Sequence, residues 1–311
     1  MLDREMKKLD FRYVILNGYV FRGLIENLVI DYGVITFTFS EKRFVVNQAS
    51  NDENFLVDIV VNSSELYESY YHPGKKKKCE KVLDMTINTK TLKQSLNVIR
   101  TNEGVIIYKE KKSDDLKIGR IQSLSHPLVS VCCGEIPIVR EETKTAKIPP
   151  YSLPKIEVLP GDFITKINQL CKQKCKFVHF VRKSGELSIG GITATGIKEP
   201  KVVCGSISEK SESDAVDIKV CTENVKCFCK LNSIIPKGGF ISIYCEQGFP
   251  IMIECKIGVF GYYRKSIMKT KDKTTIKLVD DSENSEDDNS SDNDSEEEEE
   301  EDSEETKTEE D

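Results

Sequence analysis

Few side chains in this 311-residue chain have the types and spacing that catalysis or metal binding requires. The candidates are His72, His126 and His179, together with the cysteine pairs Cys171 with Cys175 and Cys227 with Cys229. The cysteines could form a four-thiolate zinc site if they met in space, but neither pair has the usual two-residue spacing. Phosphate-binding glycine loops, Gly-x-Ser-x-Gly turns and His-Glu-x-x-His motifs do not occur. We therefore expect no catalytic residue, no metal and no cofactor.

Charge is the stronger chemical signal, and it is divided unevenly along the chain. Residues 280–311 hold 20 Asp and Glu and one Lys, a net charge of −19. Because the whole chain carries −7, residues 1–279 carry +12. A body with that surplus favours an anionic partner, nucleic acid first, although scattered solubility charges are the alternative. The acidic stretch has almost nothing apolar to bury, so we expect a disordered tail.

The hydrophobic pattern predicts a chain of short helices and many strands. Helical spacing of Phe21, Leu24, Ile25 and Leu28 predicts the first helix. The four predicted helices cover residues 19–30, 89–99, 161–172 and 228–235. Runs of β-branched and aromatic residues between polar turns predict strands at residues 11–16, 35–40, 44–48, 55–61, 105–110, 116–122, 127–133, 177–182, 186–189, 240–245 and 250–256. The pattern dissolves between residues 134 and 154, where prolines and charges predict a linker.

The sequence also repeats itself. Residues 163–170 resemble residues 21–28 at an offset of 142, and residues 230–234 resemble residues 95–99 at an offset of 135. Such a repeat predicts two similar domains in one chain. The predicted divisions are domain 1 at residues 1–133, a connector at 134–154, domain 2 at 155–279 and the tail at 280–311.

The order of these segments resembles the family of eukaryotic-type sliding clamps, proliferating cell nuclear antigen, over roughly residues 10–270. Gly-Asp-Phe at residues 161–163 and Lys-Ser-Gly-Glu-Leu-Ser-Ile-Gly-Gly at 183–191 carry the resemblance, with Gly-Phe-Pro-Ile-Met-Ile-Glu-Cys-Lys-Ile at 248–257. The resemblance implies an α+β clamp fold. Each of the two domains has antiparallel sheets and two short helices, and a homotrimer forms a pseudo-six-fold ring with the helices around a pore.

A ring of this kind would hold double-stranded DNA through phosphates without reading bases. Basic residues on the four helices that could face the pore are Arg22, Lys90, Lys93, Lys166, Lys172 and Lys230. For each of them, a solvated helix face is the alternative. Lys75 to Lys78 form the densest basic run, which could touch DNA, simply be solvated or serve in nuclear targeting.

The resemblance implies two protein-binding surfaces as well. A pocket beside the connector would take clamp-binding peptides of DNA polymerase and other replication proteins. Its matching residues are Ala49, Leu56, Ile136, Pro137, Ile138, Ile148, Pro149 and Pro250. Edge strands would join the subunits, since exposed apolar edges need pairing. The matching residues of these strands are Leu128, Val129, Val131, Val202 and Val203.

The resemblance thus implies a DNA polymerase processivity factor used in replication and repair, whose ring a separate ATP-driven loader opens. Alternatives are a non-ring processivity factor, one subunit of a hetero-trimeric checkpoint-type clamp, and an acidic-tailed histone or nucleic-acid chaperone. Residues 1–10 lack an apolar signal segment, and no run approaches the roughly 20 apolar residues of a membrane span. We expect an intracellular protein of the nucleus or a viral replication compartment, and the tail and divergence favour a large DNA virus as source.

Overall fold

A computed structural model describes residues 6–72, 82–122, 130–145, 147–206 and 215–268 of the chain. The predicted acidic tail and the run from Lys75 to Lys78 lie outside the described residues. The strands in this part of the chain are β1 Leu9–Ile15, β2 Val34–Phe39, β3 Arg43–Ala49, β4 Phe55–Asn62, β5 Glu68–Tyr71, β6 Leu83–Asn88, β7 Gly104–Glu110, β8 Asp115–Ile121, β9 Ser130–Val139, β10 Ile156–Val158, β11 Cys175–Lys183, β12 Glu186–Thr193, β13 Lys198–Ser206, β14 Val216–Cys221, β15 Ile241–Tyr244, β16 Ile251–Ile257 and β17 Gly261–Ile267.

Four helical segments alternate with these strands, besides a three-residue 3-10 helix at Ser63–Glu65. They are α1 Gly18–Leu28, α2 Thr89–Leu96, α3 Pro160–Lys172, and α4 Thr222–Val225, which continues as a 3-10 helix over Lys226–Ser233. Asn17 caps α1 by accepting from the Val20 N–H at 3.2 Å, and Asn88 caps α2 in the same way. The fourth segment begins six residues before its predicted start and is mostly 3-10 helix. None of the described helices is long and apolar enough to cross a bilayer.

Strand pairing follows the sequence repeat. In the first half, β7, β8 and β9 form one antiparallel run and β2, β3 and β4 form another. In the second half, β15, β16 and β17 pair like the first run, and β11, β12 and β13 pair like the second. Strand β4 therefore corresponds to β13, and β17 corresponds to β9. Two short strands of the first half, β5 and β6, were not predicted from the sequence, nor were β14 and β17 of the second.

The two halves meet where β4 pairs with β17, and we call this pairing the internal seam. The antiparallel register runs from Phe55 opposite Ile267 to Val61 opposite Gly261. Helices lie beside each other across the seam, because α1 contacts the 3-10 helix as well as α2, and the 3-10 helix contacts α3. A Cβ atom at Gly23 in α1 would lie 2.5 Å from the Ser233 hydroxyl, so only glycine permits this approach. Together the helices form a row on one side of the sheets.

A buried ion pair joins the halves beside the internal seam. The Lys265 ammonium on β17 donates to the Asp31 carboxylate, and these side chains are only 1% and 5% exposed. The ammonium also lies 4.7 Å from the centre of the Phe55 ring. Burial disfavours the charge on Lys265, but Cys227 and Asp31 beside it hold the lysine pKa above its ordinary value.

Breaking this pair on one side should destabilise the fold strongly. Lys265→Met or Asp31→Asn each leaves one charge buried without its partner, and we expect a loss of about 3–5 kcal/mol in the free energy of unfolding. The double variant should recover most of that loss, since it buries no charge. Urea denaturation of the three variants measures the effect.

The exposed pair of Lys144 with Glu53, at 2.5 Å, provides the matched control. Lys144→Met should cost less than about 1 kcal/mol, because solvent screens a surface pair. Equal losses at Lys144 and Lys265, or additive losses in the double variant, would contradict an essential role for the buried pair.

Candidate functional site

The helix row carries basic side chains that no described carboxylate pairs with. Lys90 and Lys93 on α2, Lys172 at the end of α3 and Lys230 in the 3-10 helix, four of the six residues predicted to contact DNA, are exposed or half-exposed. The ion pairs within the row involve other residues, namely Arg22 with Glu26 and Lys226 with Glu223. The four lysines therefore leave a positive surplus on this face.

Arg22 is held more tightly than its predicted role requires. Its Nε donates to Glu26 at 2.8 Å, and its Nη1 donates to the carbonyl oxygens of Asn97 and Ile99, both at 3.2 Å. These bonds neutralise the carbonyl end of α2 and pin α1 to it. Arg22 thus has a structural task, and its charge is largely compensated.

The prediction that Lys166 faces a pore and contacts DNA is wrong. Lys166 is 5% exposed and lies on the buried face of α3. At the repeat offset of 142 it occupies the position of Leu24, which is 1% exposed in α1. The helix face is therefore the same in both halves, and a lysine has replaced a core leucine. The thiol of Cys204 on β13 lies near Lys166, whose charge works against the burial that raises the pKa of that thiol.

Two arginines beside the row were missed. Arg100 follows α2 and Arg120 lies on β8, and both line a depression of about 490 Å³ that Arg22 also borders. The Arg120 Nη1 lies 3.8 Å from Glu103, which also accepts the Arg100 backbone N–H at 2.8 Å. Sequence analysis considered only helical positions, whereas these residues lie on a loop and a strand.

On the opposite side of the sheets, the connector crosses the internal seam. The Ala49 N–H at the end of β3 donates to the Lys144 carbonyl at 2.8 Å. Further along the connector, the Tyr151 hydroxyl donates to the Pro250 carbonyl at 2.8 Å, just before β16. Because β4 and β17 lie between β3 and β16, the described connector residues between these anchors, 145 and 147–150, pass over the seam.

The connector is fixed where it enters the second half. The Tyr151 ring packs against the rings of Tyr244 and Phe249, at 5.3 and 5.5 Å between centres. Glu246 accepts hydrogen bonds from the Ser152 N–H and hydroxyl, both at 2.7 Å, and from the Leu153 N–H at 3.1 Å. These bonds lower the pKa of Glu246 against the opposing effect of burial. A fixed connector provides a preformed rather than a mobile surface.

Five of the eight predicted docking residues lie along this crossing. Ala49 and Pro250 contact the connector, Leu56 lies opposite Ser266 in the seam, and the half-buried Ile148 and Pro149 belong to the crossing segment itself.

The other three docking residues belong to β9, which continues six residues into the predicted connector. Ile136 is fully buried, so its predicted docking role is wrong, because the strand directs it into the core opposite Leu116. Pro137 is exposed opposite Asp115, and Ile138 is half-buried opposite Ile87 of β6. Pro137 and Ile138 therefore lie within a strand, away from the connector crossing.

Within the part of the chain that the structure describes, two strands present open edges with apolar side chains. Strand β9 pairs with β8 and, over only two residues, with β6, while β13 pairs with β12 and, at one residue, with β10. Val131 on β9 is 48% exposed and Val202 on β13 is 46% exposed, and Val203 is exposed beside it. Leu128 and Val129, also predicted for this role, lie outside the described residues.

The cysteines behave mainly as apolar residues. Cys175 and Cys227 are buried, whereas the Cys171 and Cys229 thiols contact each other between α3 and the 3-10 helix. Burial raises the pKa of the Cys229 thiol to about 11. Among the described residues no three His, Cys, Asp or Glu side chains come together as a metal-binding group. His179 packs on β11 with its Nδ1 3.1 Å from Asp217, and burial lowers its pKa.

Comparison with solved structures identifies the fold. No family model and no curated protein matches the sequence. The structure is similar to proliferating cellular nuclear antigen of Entamoeba histolytica, with a TM-score of 0.68 and 14% identity over 85% of this chain and 100% of that one. It is equally similar to PCNA of Thermococcus kodakaraensis, with a TM-score of 0.68 and 13% identity over 83% of this chain and 99% of that one.

A third similar structure is a PCNA2–PCNA3 complex from Sulfolobus tokodaii, with a TM-score of 0.67 and 14% identity over 83% of this chain and 99% of that one. At these identities the likeness concerns the fold. The chain has the mostly antiparallel clamp fold with four short helices, and the predicted fold class is confirmed.

The unpaired lysines of the helix row should control binding to duplex DNA. Replacing Lys90, Lys93, Lys172 and Lys230 by Ala should weaken binding to a linear duplex and flatten its salt dependence. Each lost phosphate contact lowers the slope of log affinity against log salt by about 0.9. Fluorescence anisotropy of a labelled duplex across a salt series measures that slope.

An outer-surface variant with the same charge change provides the control. Lys42, Lys176, Lys183 and Lys219 are all exposed residues of turns or sheet strands. Their replacement by Ala should leave most of the slope intact. Equal slopes for the two quadruple variants would show that the helix row has no special role in binding.

Proposed function

We propose that this chain is a DNA sliding clamp, which self-assembles into a closed ring of three copies and confers processivity on a DNA polymerase. The mechanism is topological: a ring around a duplex stays attached without gripping any sequence. Lysines on the helix row attract the phosphates, and exchange of such contacts along the backbone permits sliding.

The observation that carries this proposal is the correspondence between the internal seam and the two open edges. Strand β4 corresponds to β13 and β17 to β9, and β4 pairs with β17 inside the chain. Pairing β13 of one copy with β9 of the next would repeat the same contact between copies. Since the two edges differ, the association is head-to-tail, and it closes into a ring when the rotation permits. Three copies would supply six repeats.

The repeat also predicts which residues meet between copies. Val202 corresponds to Ile59, because each lies opposite an equivalent residue of the neighbouring strand: Ile189 for Val202 and Val46 for Ile59. Val131 corresponds to Tyr263 in the same way, since Val131 lies opposite Arg120 and Tyr263 lies opposite Cys255. In the internal seam Ile59 lies opposite Tyr263, and both are buried. Val202 should therefore lie opposite Val131 of the next copy. This pairing would cover apolar edges that otherwise favour aggregation.

The connector crossing is the proposed docking site for polymerase and other replication and repair proteins. Support comes from its fixed backbone and from the half-buried Leu56, Ile148, Pro149 and Pro250 along it. An apolar or aromatic anchor of a partner peptide would pack against these residues. Opening of a closed ring would require a separate, ATP-driven loader, and the nucleus or a viral replication compartment is the proposed location.

A hetero-oligomeric clamp is the second candidate, because one of the similar structures is a complex of two different PCNA proteins. In that case one open edge would pair with another protein rather than with a second copy. A subunit of such a clamp would remain monomeric when purified alone, so the solution mass separates the two candidates.

Light scattering of the full chain should give a mass near three times 35.3 kDa at micromolar concentration. Val202→Asp or Val131→Lys alone should reduce the mass towards that of a monomer, since each places an uncompensated charge in the strand pairing. The combined Val202→Asp and Val131→Lys variant should regain mass, because the two charges then lie opposite each other.

Val259→Asp supplies the control, since Val259 is 79% exposed in the turn between β16 and β17. It should leave the trimer intact. A monomeric wild-type chain would overturn the homotrimer and favour the hetero-oligomer, and a trimer insensitive to both valines would place the contact elsewhere.

A further inference from the structure

A groove on the first half of the chain is a cavity that no part of the clamp proposal uses. It has a volume of about 690 Å³, within the range of ligand-binding cavities. Its residues come from the segment before β1, from β1 itself and from the end of β7 with the turn that follows. They are Met6, Lys7, Lys8, Leu9, Arg12, Ile106, Tyr108, Glu110, Lys111 and Lys112.

The groove faces away from the main core. Strand residues alternate between faces, and Tyr13 and Ile107 of these strands lie in the main core. Arg12, Ile106 and Tyr108 point the other way, where Ile106 belongs to a second, small apolar cluster with Val14 and Ile121. The helix row packs on the core side, so the groove and the row are separate surfaces.

The rim of the groove is positively charged. Arg12 is paired with Glu68 at 3.5 Å, and Glu110 is paired with Lys117 at 3.1 Å. Lys7, Lys8, Lys111 and Lys112 form no ion pair with any described residue, and all four are exposed. The Lys111 ammonium instead donates to the Lys7 carbonyl at 2.7 Å, which holds the two basic segments together. Asp114 and Asp115 follow in the same turn but do not line the groove.

The floor is apolar, formed by Met6, Leu9, Ile106 and Tyr108. The flexible Met6 side chain on this floor can adapt to different side chains. A ligand whose carboxylates pair with the rim lysines and whose apolar side chain packs on the floor would match both parts of the groove. A nucleic acid backbone would satisfy only the rim, and so would this chain's own residues 280–311, which contain no apolar residue.

We propose that this groove is a docking site for an acidic peptide segment of a partner protein, one that carries an apolar or aromatic anchor between carboxylates. The anchor fills the floor and the flanking carboxylates pair with Lys7, Lys8, Lys111 and Lys112. The site acts independently of the connector crossing, so a clamp could hold a second partner there.

The test uses the full chain and a fluorescein-labelled synthetic peptide, Asp-Glu-Asp-Leu-Phe-Asp-Glu-Asp, followed by fluorescence anisotropy. The combined variant Lys111→Glu and Lys112→Glu should weaken binding about tenfold, because it reverses two charges on the rim. The matched variant Lys42→Glu and Lys219→Glu makes the same change in net charge elsewhere and should alter affinity by less than about twofold. Both pairs are exposed, so the fold should tolerate either change.

The apolar floor is tested on the peptide rather than on the protein, which avoids unfolding. A peptide with Ser-Ser in place of Leu-Phe should bind about tenfold more weakly, since it loses the anchor. Equal binding of the two peptides, equal loss in both charge variants, or displacement of the probe by an equal concentration of a duplex or of the free peptide 280–311 would overturn the proposal. Equal binding of the two peptides, or displacement of the probe by the duplex or the free peptide, would indicate instead that the groove binds any polyanion.

Discussion

The antiparallel pairing of β4 with β17 is the contact on which the rest of the structure depends. It joins segments from the two halves of the chain into one continuous sheet. The helix row assembles on one side of this seam, where Gly23 lets α1 approach Ser233, and the connector crosses it on the other side. Both candidate surfaces would therefore be lost if the halves separated. The buried pair of Lys265 with Asp31 is a polar contact that ties the halves beside this seam.

Equivalent positions in the two halves of the chain carry residues of different chemical type. The helices of both halves bury the same face, yet the position of Leu24 in α1 is occupied by Lys166 in α3. A lysine can occupy a core position when its long stem packs against apolar neighbours and its ammonium reaches a polar group. Equivalent strands behave alike, as Ile136 on β9 and Ile267 on β17 are both fully buried. What differs is the exposure of the edges, since Ile59 is covered within the chain and Val202 is not.

Much of the fold could be predicted from the sequence, because periodicity and the repeat are local signals. The apolar face of α1 and most strand positions in the β2–β4 run match the prediction closely. Strand β17 was missed because Tyr262-Tyr-Arg-Lys-Ser reads as polar, and its Lys265 is buried only through Asp31, which is distant in sequence. The prediction for Lys166 failed because charge was given more weight than the repeat, which already aligned it with Leu24. The docking prediction for Ile136 was wrong because the prolines were taken as signs of a linker. Pro137 instead lies near the end of an edge strand, where the missing N–H of proline is tolerated.

If copies of this chain pair through β9 and β13, as proposed, that pairing must be kept distinct from the internal seam, and the ion pair provides a physical basis for the distinction. Lys265 lies opposite Ile253 in β16, and the equivalent residue of β9, opposite Ile118, is Gly134. If β9 of another copy paired with β4, Asp31 would be buried without an ammonium, at a cost of about 3–5 kcal/mol. If β17 paired with β13 of another copy, Lys265 would meet Gln173, which the offset of 142 puts at the position of Asp31. In the proposed assembly each buried charge is therefore satisfied by the pairing within the chain, and β9 and β13 are the edges that would pair with other copies.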